Sequence, residues 1–276
     1  EDLSVSYYQW VTADDGRVRK ELINCTIADA KEDLTAQHDT FGRHVYNIKR
    51  QFQELRYLKE SLKQGEVIIQ EDFAENFQVK HQREIMAAHW SNEMVTVFTA
   101  VVYFRNAQGV LEHSSYAVIS DELAHDKASV YTFNKAILES VSKITTVEKV
   151  HYWSDGAGSQ FKNRYNLTCI LYHKQDFQSE ATWSFFETAH GKGPVDGVGG
   201  EVKRAVWRSI LQEKAVVTTA EEFYQTAQRV CQKINILHVP GQSVSEEIEK
   251  LKSRWESCKA IPQTHSIHFV SKTNDS

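Results

Sequence analysis

The stretch "VEKVHYWSDGAGSQFKN", Val147 to Asn163, is the starting point for predicting the fold. An apolar run in it ends in a lone carboxylate. Its β-branched and aromatic residues predict a strand, and Asp155 follows that strand directly. The small residues Gly156 to Gly158 let a substrate backbone come close and expose N–H groups at the start of a helix. A carboxylate in this place is costly to desolvate without a partner. Asp155 is therefore a candidate functional residue, and the alternative is an ordinary helix N-cap.

The segments around Asp155 give the element order β-β-β-α-β-α-β-α. The predicted strands are "EVIIQEDFAENF", "EMVTVFTAVVYF", "VLEHSSYAVIS", "VEKVHYWSD" and "SEATWSFFET". The predicted helices are "DKASVYTFNKAILESVSKI", the stretch from Ser159 to about His173, and "VDGVGGEVKRAVWRSILQEK". The first three strands have the pattern of an antiparallel meander, after which a helix crosses over to the next strand. The order predicts an α/β protein with a mixed sheet and flanking helices.

A hairpin and a long helix are predicted before this sheet. Two extended runs between Ser4 and Ile27 meet at an Asp-Asp-Gly turn, a strong hairpin signal. Residues 28–63 then form a helix whose apolar residues recur every seven positions. The helix packs either on its own domain or as a homodimer seam, and both alternatives stay open. The seam consists of Leu34, Phe41, Ile48, Leu55 and Leu62.

Three regions follow from these patterns. Residues 1–64 hold the hairpin and the long amphipathic helix, residues 65–212 hold the sheet and its chemistry, and residues 213–276 are a helical extension with a possible terminal strand. The chain begins with Glu1 rather than Met, so we expect a piece of a longer protein.

Composition excludes several classes of protein. The 276 residues are 41% hydrophobic, enough for one large core, and no run approaches the ~18 apolar residues of a membrane span. A net charge of -5 excludes a generally basic surface, so any nucleic-acid contact is local. The four cysteines are far apart and contain no CxxC pair, which argues against a zinc knuckle and a dense disulfide framework and favours a reducing compartment.

Three stretches carry a resemblance to a known family: "DFAENF" at Asp72–Phe77, "YWSDGAGSQFKN" at Tyr152–Asn163 and "FFETAHGKGPVDGVGGEVKR" at Phe185–Arg204. The element order resembles the ribonuclease H-like fold, in which two strands arrive by right-handed crossovers after an antiparallel meander. The sequence resembles the catalytic domain of a eukaryotic DDE-type DNA transposase, or a domesticated protein derived from one, over roughly residues 65–212. The resemblance implies a five-stranded mixed sheet.

The resemblance also implies a catalytic set of three acids. Asp72 would end the first strand, Asp155 follows the fourth, and Asp196 lies on the helix after the fifth. Glu201 is the alternative third acid and Glu187 ranks last, because it would lie on the strand itself. Carboxylates without clustered sulfur or imidazole select a hard cation, so we expect two Mg²⁺ or Mn²⁺ ions.

Basic residues near these acids are candidate phosphate contacts. They are His190, Lys192, Lys203, Arg204 and Lys162. The glycines of "HGKGPVDGVGG" would admit a DNA backbone, and the alternative is close packing of a helix on the sheet. For the lysines and arginines on the helix, the alternative is a solvated face.

The function implied by the resemblance is metal-dependent DNA cleavage and strand transfer, the chemistry of an endonuclease acting in DNA recombination in the nucleus. Two alternatives stay open: a domesticated DNA- or protein-binding module without catalysis, and a ribonuclease H-fold exonuclease or ribonuclease. The last is disfavoured, because such enzymes have a further acid close to the first, a pattern absent here unless Glu71 or Glu75 supplies it.

Overall fold

The computed structural model of the protein describes residues 3–79, 93–187, 193–258 and 267–272. The chain divides into two compact units, Glu1–Phe52 and Gln53–Ser276. None of the described helices is both long and apolar enough to cross a bilayer.

The first unit consists of a hairpin and most of a long helix. Strand β1 (Ser4–Thr12) pairs antiparallel with β2 (Val18–Thr26), and Gly16 takes a φ of +75° in the turn between them. Helix α1 (Ile27–Ser61) follows at once. Its start is fixed by Asp29, which accepts hydrogen bonds from the backbone N–H (3.2 Å) and the hydroxyl (2.7 Å) of Thr26. The predicted hairpin and long helix are confirmed.

The second unit is built on one mixed sheet. Its strands are β3 (Glu66–Phe73), β4 (Phe77–Gln78), β5 (Met94–Arg105), β6 (Leu111–Ser120), β7 (Lys149–Ser154), β8 (Glu180–Phe185), β9 (Ile234–His238) and β10 (Phe269–Ser271). Their order is β10-β8-β7-β3-β5-β6-β9, with β4 paired to β5. The pairs β8-β7, β7-β3 and β6-β9 are parallel, and the others are antiparallel.

Helices cover both faces of this sheet. They are α2 (Lys127–Val141), α3 (Arg164–Phe177), α4 (Pro194–Leu211), α5 (Ala220–Val230) and α6 (Gly241–Glu256). Buried residues of α2, α3 and α6 form one core cluster with the sheet, and those of α4 and α5 form another. Asp126, Asn163 and Thr219 cap α2, α3 and α5 with their side chains. The predicted mixed α/β fold is confirmed.

The sheet is larger than the five predicted strands. Within the region predicted as a helical extension, α5 ends at Val230 and Ile234 begins β9 beside β6. The reason is a change of period, since Ile234 and Ile236 alternate into the core as strand residues do. The region predicted as a helical extension thus contributes β9 and β10 to the sheet.

The last turns of α1 belong to the core of the second unit. Leu55 and Leu62 are buried in a cluster with Ile68, Trp153 and Phe186. The apolar seam of α1 therefore has its own intramolecular cover from Leu55 onward.

Candidate active site

Strand register brings Asp72 and Asp155 side by side. Strand β3 runs parallel to β7, and the last residue pair is Gln70 with Trp153. Two residues further along each strand direction stand Asp72 and Asp155. Because neighbouring strands lie about 4.8 Å apart and side chains alternate between faces, both carboxylates belong to one face at one edge of the sheet.

The first turns of α4 lie against the end of β3. A Cβ atom at Gly199 would stand 2.8 Å from Cβ of Ala74, and one at Gly193 would stand 2.6 Å from Nε2 of Gln70. A side chain at Gly199 would therefore clash with Ala74, whereas one at Gly193 would meet the flexible end of the Gln70 side chain. The packing alternative accounts for Gly199, and a Cβ at Gly197 would meet nothing within 4 Å.

Asp196 enters the site from this helix. Helix α4 begins at Pro194, and Asp196 lies one turn before Gly199 on the same side of the helix. The backbone N–H of Gly193 donates to Oδ2 of Asp196 at 2.9 Å, so this carboxylate caps the helix that carries it. Its charge also acts on Asp72. The side chain of Asp196 is exposed to solvent.

Each of the three carboxylates has one oxygen bound to a nearby backbone N–H. Phe73 donates to Oδ1 of Asp72 at 2.8 Å and Ala157 donates to Oδ1 of Asp155 at 3.0 Å, in the same way that Asp196 is held. No other group in the described residues donates a hydrogen bond to the second oxygen of Asp72 or Asp155. One oxygen of each is thus oriented by the fold and one remains for a ligand.

The environment of the acids favours retention of a proton. Burial, then the charges of Asp155 and Asp196, raise the pKa of Asp72 to about 7, against the opposing effect of the Phe73 N–H. Burial also raises the pKa of Asp155, and the N–H of Ala157 opposes this rise. Because repulsion between carboxylates is mutual, the retained proton belongs to the group of acids rather than to Asp72 alone.

Glu71 points to the opposite face. It is buried, accepts a hydrogen bond from Nδ2 of Asn134 at 3.3 Å, and burial holds its pKa well above the usual range. Its Oε2 has no hydrogen-bond partner among the described residues. Glu71 therefore adds no fourth ligand to the face that carries Asp72, and Glu75 is exposed beyond the strand.

Glu201 lies on a different part of α4 from Asp196. Five residues along a helix correspond to a rotation of about 500°, which turns its side chain about 140° away from that of Asp196. Burial and then the charge of Glu201 raise the pKa of the Cys231 thiol to about 11. Glu201 thus acts on the C-terminal end of α5, where Cys231 follows the helix, and not on Asp72.

Two of the predicted basic residues lie near the ends of β3 and β8. Nζ of Lys203 donates to the backbone oxygen of Glu75 at 2.9 Å, which fixes this lysine next to the chain that leaves β3. Nζ of Lys162 stands 5.6 Å from the ring centroid of Phe185. Burial lowers the pKa of Lys162, and the charge of Glu187 opposes this effect.

A third predicted basic residue, Arg204, contacts its own helix. The guanidinium of Arg204 extends back along its own helix, with Nη1 2.9 Å from the position of a Cβ at Gly200. His190 and Lys192 lie outside the described residues.

The donor atoms of the site fit a hard cation. Carboxylate oxygens are the ligands that Mg²⁺ and Mn²⁺ prefer. No group of three His, Cys, Asp or Glu in the described ranges is close enough to hold a metal ion as it stands. The charge of Asp196 acts on Asp72 while its carboxylate accepts the capping hydrogen bond from Gly193. Asp72 and Asp155 would hold the ion first, and Asp196 would join by leaving its cap.

Sequence reasoning missed two supports of the site. Gln70 is buried on the same face as Asp72, two residues earlier, and reaches the N-terminus of α4. A glutamine inside the apolar run "VIIQ" was the available signal. The hydroxyl of Ser154 accepts from Nε1 of Trp183 at 3.0 Å and donates to the backbone oxygen of Asp155 at 2.9 Å, which orients the turn after β7.

Comparisons with known proteins give a family without an assigned activity. A search of curated proteins finds no match. Among solved structures, the chain is similar to one described as "Crystal structure of LC9-RNase H1, a type 1 RNase H with the type 2 active-site motif", with 15% identity, 77% of this chain and 80% of that chain covered, and a TM-score of 0.21. The family described as "Domain of unknown function (DUF8701)" matches residues 51–276, and the chain therefore belongs to this family.

Proposed function

We propose that this protein is a divalent-metal-dependent phosphoryl-transfer enzyme that cleaves DNA, with Asp72, Asp155 and Asp196 as metal ligands. The observation that carries the proposal is the register of β3 and β7, which sets Asp72 beside Asp155 on the face that α4 reaches with Asp196. The raised pKa of Asp72 supports it, because half-buried carboxylates without a cationic partner need an ion to neutralise them.

The chain's own residues have separate tasks in this proposal. Asp72 and Asp155 bind and orient the ions through the oxygens that the backbone leaves available. The small residues Gly156–Gly158 leave room for a DNA backbone, and Lys203 and Lys162 place positive charge beside it. Bound ions supply activation of the attacking hydroxyl and stabilisation of charge on the leaving oxygen. Water as the attacking group gives cleavage, and a DNA 3′-hydroxyl gives the strand transfer of a transposase. Action on chromosomal DNA would require the protein to enter the nucleus.

A DNA- or protein-binding module without catalysis is the second candidate. The hydrogen bond from Gly193 to Asp196 favours it, since an acid that serves as a helix cap needs no metal to explain it. A ribonuclease-type site with a fourth acid next to the first is less well supported, because Glu71 lies on the other face.

A plasmid assay tests the proposal. Supercoiled DNA incubated with the protein and Mn²⁺ should be nicked or linearised, and chelation of the metal should stop the reaction. Asp72→Asn, Asp155→Asn and Asp196→Asn should each lower the rate by about 100-fold or more, on the scale of lost catalytic electrostatics. Glu201→Gln is the matched control on α4 and should keep substantial activity.

Each other outcome of this assay has a definite meaning. Equal rates for wild type and Asp72→Asn would reject the site. Loss of activity in Glu201→Gln but not in Asp196→Asn would transfer the third role to Glu201. Absence of any product would favour the binding module, and shortening by single nucleotides from DNA ends would indicate an exonuclease.

A further inference from the structure

Gln70 is a polar side chain buried in the central strand β3. The residue is 2% exposed, and its Oε1 has no hydrogen-bond partner among the described residues. An amide oxygen that is removed from water without a donor costs stability. A buried group of this kind needs a physical reason, and the surroundings of Gln70 supply one.

The amide of Gln70 lies against the N-cap residue of α4. A Cβ atom at Gly193 would stand 2.6 Å from Nε2 of Gln70, so the amide occupies the space that a side chain at Gly193 would take. Because Cβ and the backbone N of a residue are bonded to the same Cα, the N of Gly193 lies within about 5 Å of Nε2. The last torsion of a glutamine side chain is broad and roughly two-fold, so rotation of the amide brings Oε1 to the side of Gly193.

The N–H of Gly193 has a different acceptor in this structure. It donates to Oδ2 of Asp196 at 2.9 Å, and the charge of Asp196 acts on Asp72. Binding of Asp196 to an ion beside Asp72 and Asp155 would take its carboxylate from this cap. The N–H of Gly193 would then lose its acceptor at the N-terminus of α4.

Two contacts with β3 anchor the start of α4. One is the contact of Gly193 with Gln70, and the other is at Gly199, where a Cβ would stand 2.8 Å from that of Ala74. Asp196 lies between these anchors along the helix. The helix can therefore keep its place while the carboxylate of Asp196 moves, provided that another acceptor holds the N–H of Gly193.

We propose that Gln70 is a positioning residue of the cation site, whose Oε1 accepts the N–H of Gly193 when Asp196 leaves that N–H to bind the ion. This inference rests on the proposed function, because the exchange occurs only if Asp196 is a metal ligand. One exchange satisfies two groups, since the buried amide oxygen gains a donor and the helix N-terminus retains an acceptor. Asp196 thus joins the site without leaving the start of its helix uncapped.

Calorimetric titration of Mn²⁺ in a double-mutant cycle tests this role. Gln70→Leu keeps a side chain of similar size and removes the acceptor, so it should lower the affinity for Mn²⁺ about fivefold to tenfold, the scale of one hydrogen bond. In an Asp196→Asn background the same substitution should have no further effect, because no carboxylate then leaves the cap to bind the ion. Glu71→Gln, on the opposite face of β3, is the matched control and should leave the affinity unchanged.

The melting temperature of the metal-free protein distinguishes this role from structural support. With a chelator present, Gln70→Leu should melt at a higher temperature than wild type, because it removes the unsatisfied buried oxygen. Loss of a supporting contact would instead lower the melting temperature. Gln70→Met also lacks the acceptor and should behave like Gln70→Leu in both measurements.

Each contrary result has its own meaning. If wild type binds Mn²⁺ and Gln70→Leu binds it equally well, the role of Gln70 is overturned and the proposed function stands. Equal losses of affinity with and without Asp196→Asn, or a lowered melting temperature in both Gln70 variants, would also overturn the exchange. A wild type that binds no Mn²⁺ would overturn both this inference and the proposed function.

Discussion

Replacing Asp72 by Asn should stabilise the metal-free protein at neutral and higher pH. The pKa of Asp72 is raised from 3.8 to about 7 by burial and by its acidic neighbours. Between about pH 4 and pH 7 the unfolded chain has lost this proton while the folded chain retains it. The free energy of unfolding of the wild type should therefore fall as the pH rises through this window and remain low above it.

The size of the effect follows from the shift. About three pH units at 1.36 kcal/mol each give an upper bound of about 4 kcal/mol, and we expect about 2 kcal/mol because the side chain keeps some contact with solvent. Asparagine has nearly the same shape and does not titrate, so the variant avoids this loss.

Urea unfolding with a chelator, at a series of pH values from 4 to 8, measures the difference. The advantage of Asp72→Asn over wild type should be small near pH 4 and should grow to its full value by pH 8. Glu75→Gln, an exposed acid three residues away, is the control and should show no such growth. A pH-independent difference, or a variant less stable than wild type at pH 8, would refute the reasoning.

Three further predictions follow from the same geometry. The affinity for Mn²⁺, measured by calorimetry, should rise with pH to about 7 and then level, because the acids must lose their proton to bind; a flat profile would contradict this. Gly199→Ala should lower the free energy of unfolding by about 1–3 kcal/mol, since its Cβ would stand 2.8 Å from that of Ala74. Gly197→Ala should be neutral or stabilising by up to about 1 kcal/mol. Equal effects of the two substitutions would reject the packing argument. Leu55→Ala should lower the free energy of unfolding of the second unit by about 2–5 kcal/mol, because Leu55 is buried. Leu34→Ala should leave the thermal unfolding of that unit unchanged, because Leu34 is exposed. A larger loss of stability in Leu34→Ala than in Leu55→Ala would contradict this reasoning.

Local pattern was sufficient for most of the fold. Runs of β-branched and aromatic residues identified the strands around Asp72 and Asp155, and the Asp-Gly turn identified the hairpin. Strand β9 was missed because its five residues follow α5 after a short turn and contain too few alternations to distinguish it from the end of a helix.

The apolar heptad of α1 did not predict which residues cover each part of it. The heptad of α1 is uniform in sequence, yet Leu55 and Leu62 are covered by Ile68 and Trp153 of the same chain while Leu34 is exposed. Apolar spacing specifies a face that needs cover and does not specify what supplies it.

The site was predictable to a different degree for each acid. Asp72 and Asp155 follow from the ends of two strands whose order the pattern suggested. The cap formed by Asp196 was not visible, because Gly193 at the N-cap has no side chain to signal it. Basic residues at helical spacing gave no indication that Lys203 binds a backbone oxygen while Arg204 extends along its own helix.

Titration of Mn²⁺ into the metal-free protein tests the central claim most directly, that acids from β3 and the turn after β7 form a cation site. Wild type and Glu201→Gln should bind Mn²⁺ with similar affinity, and Asp72→Asn with Asp155→Asn should show no saturable binding. Equal binding by wild type and the double variant would contradict the account.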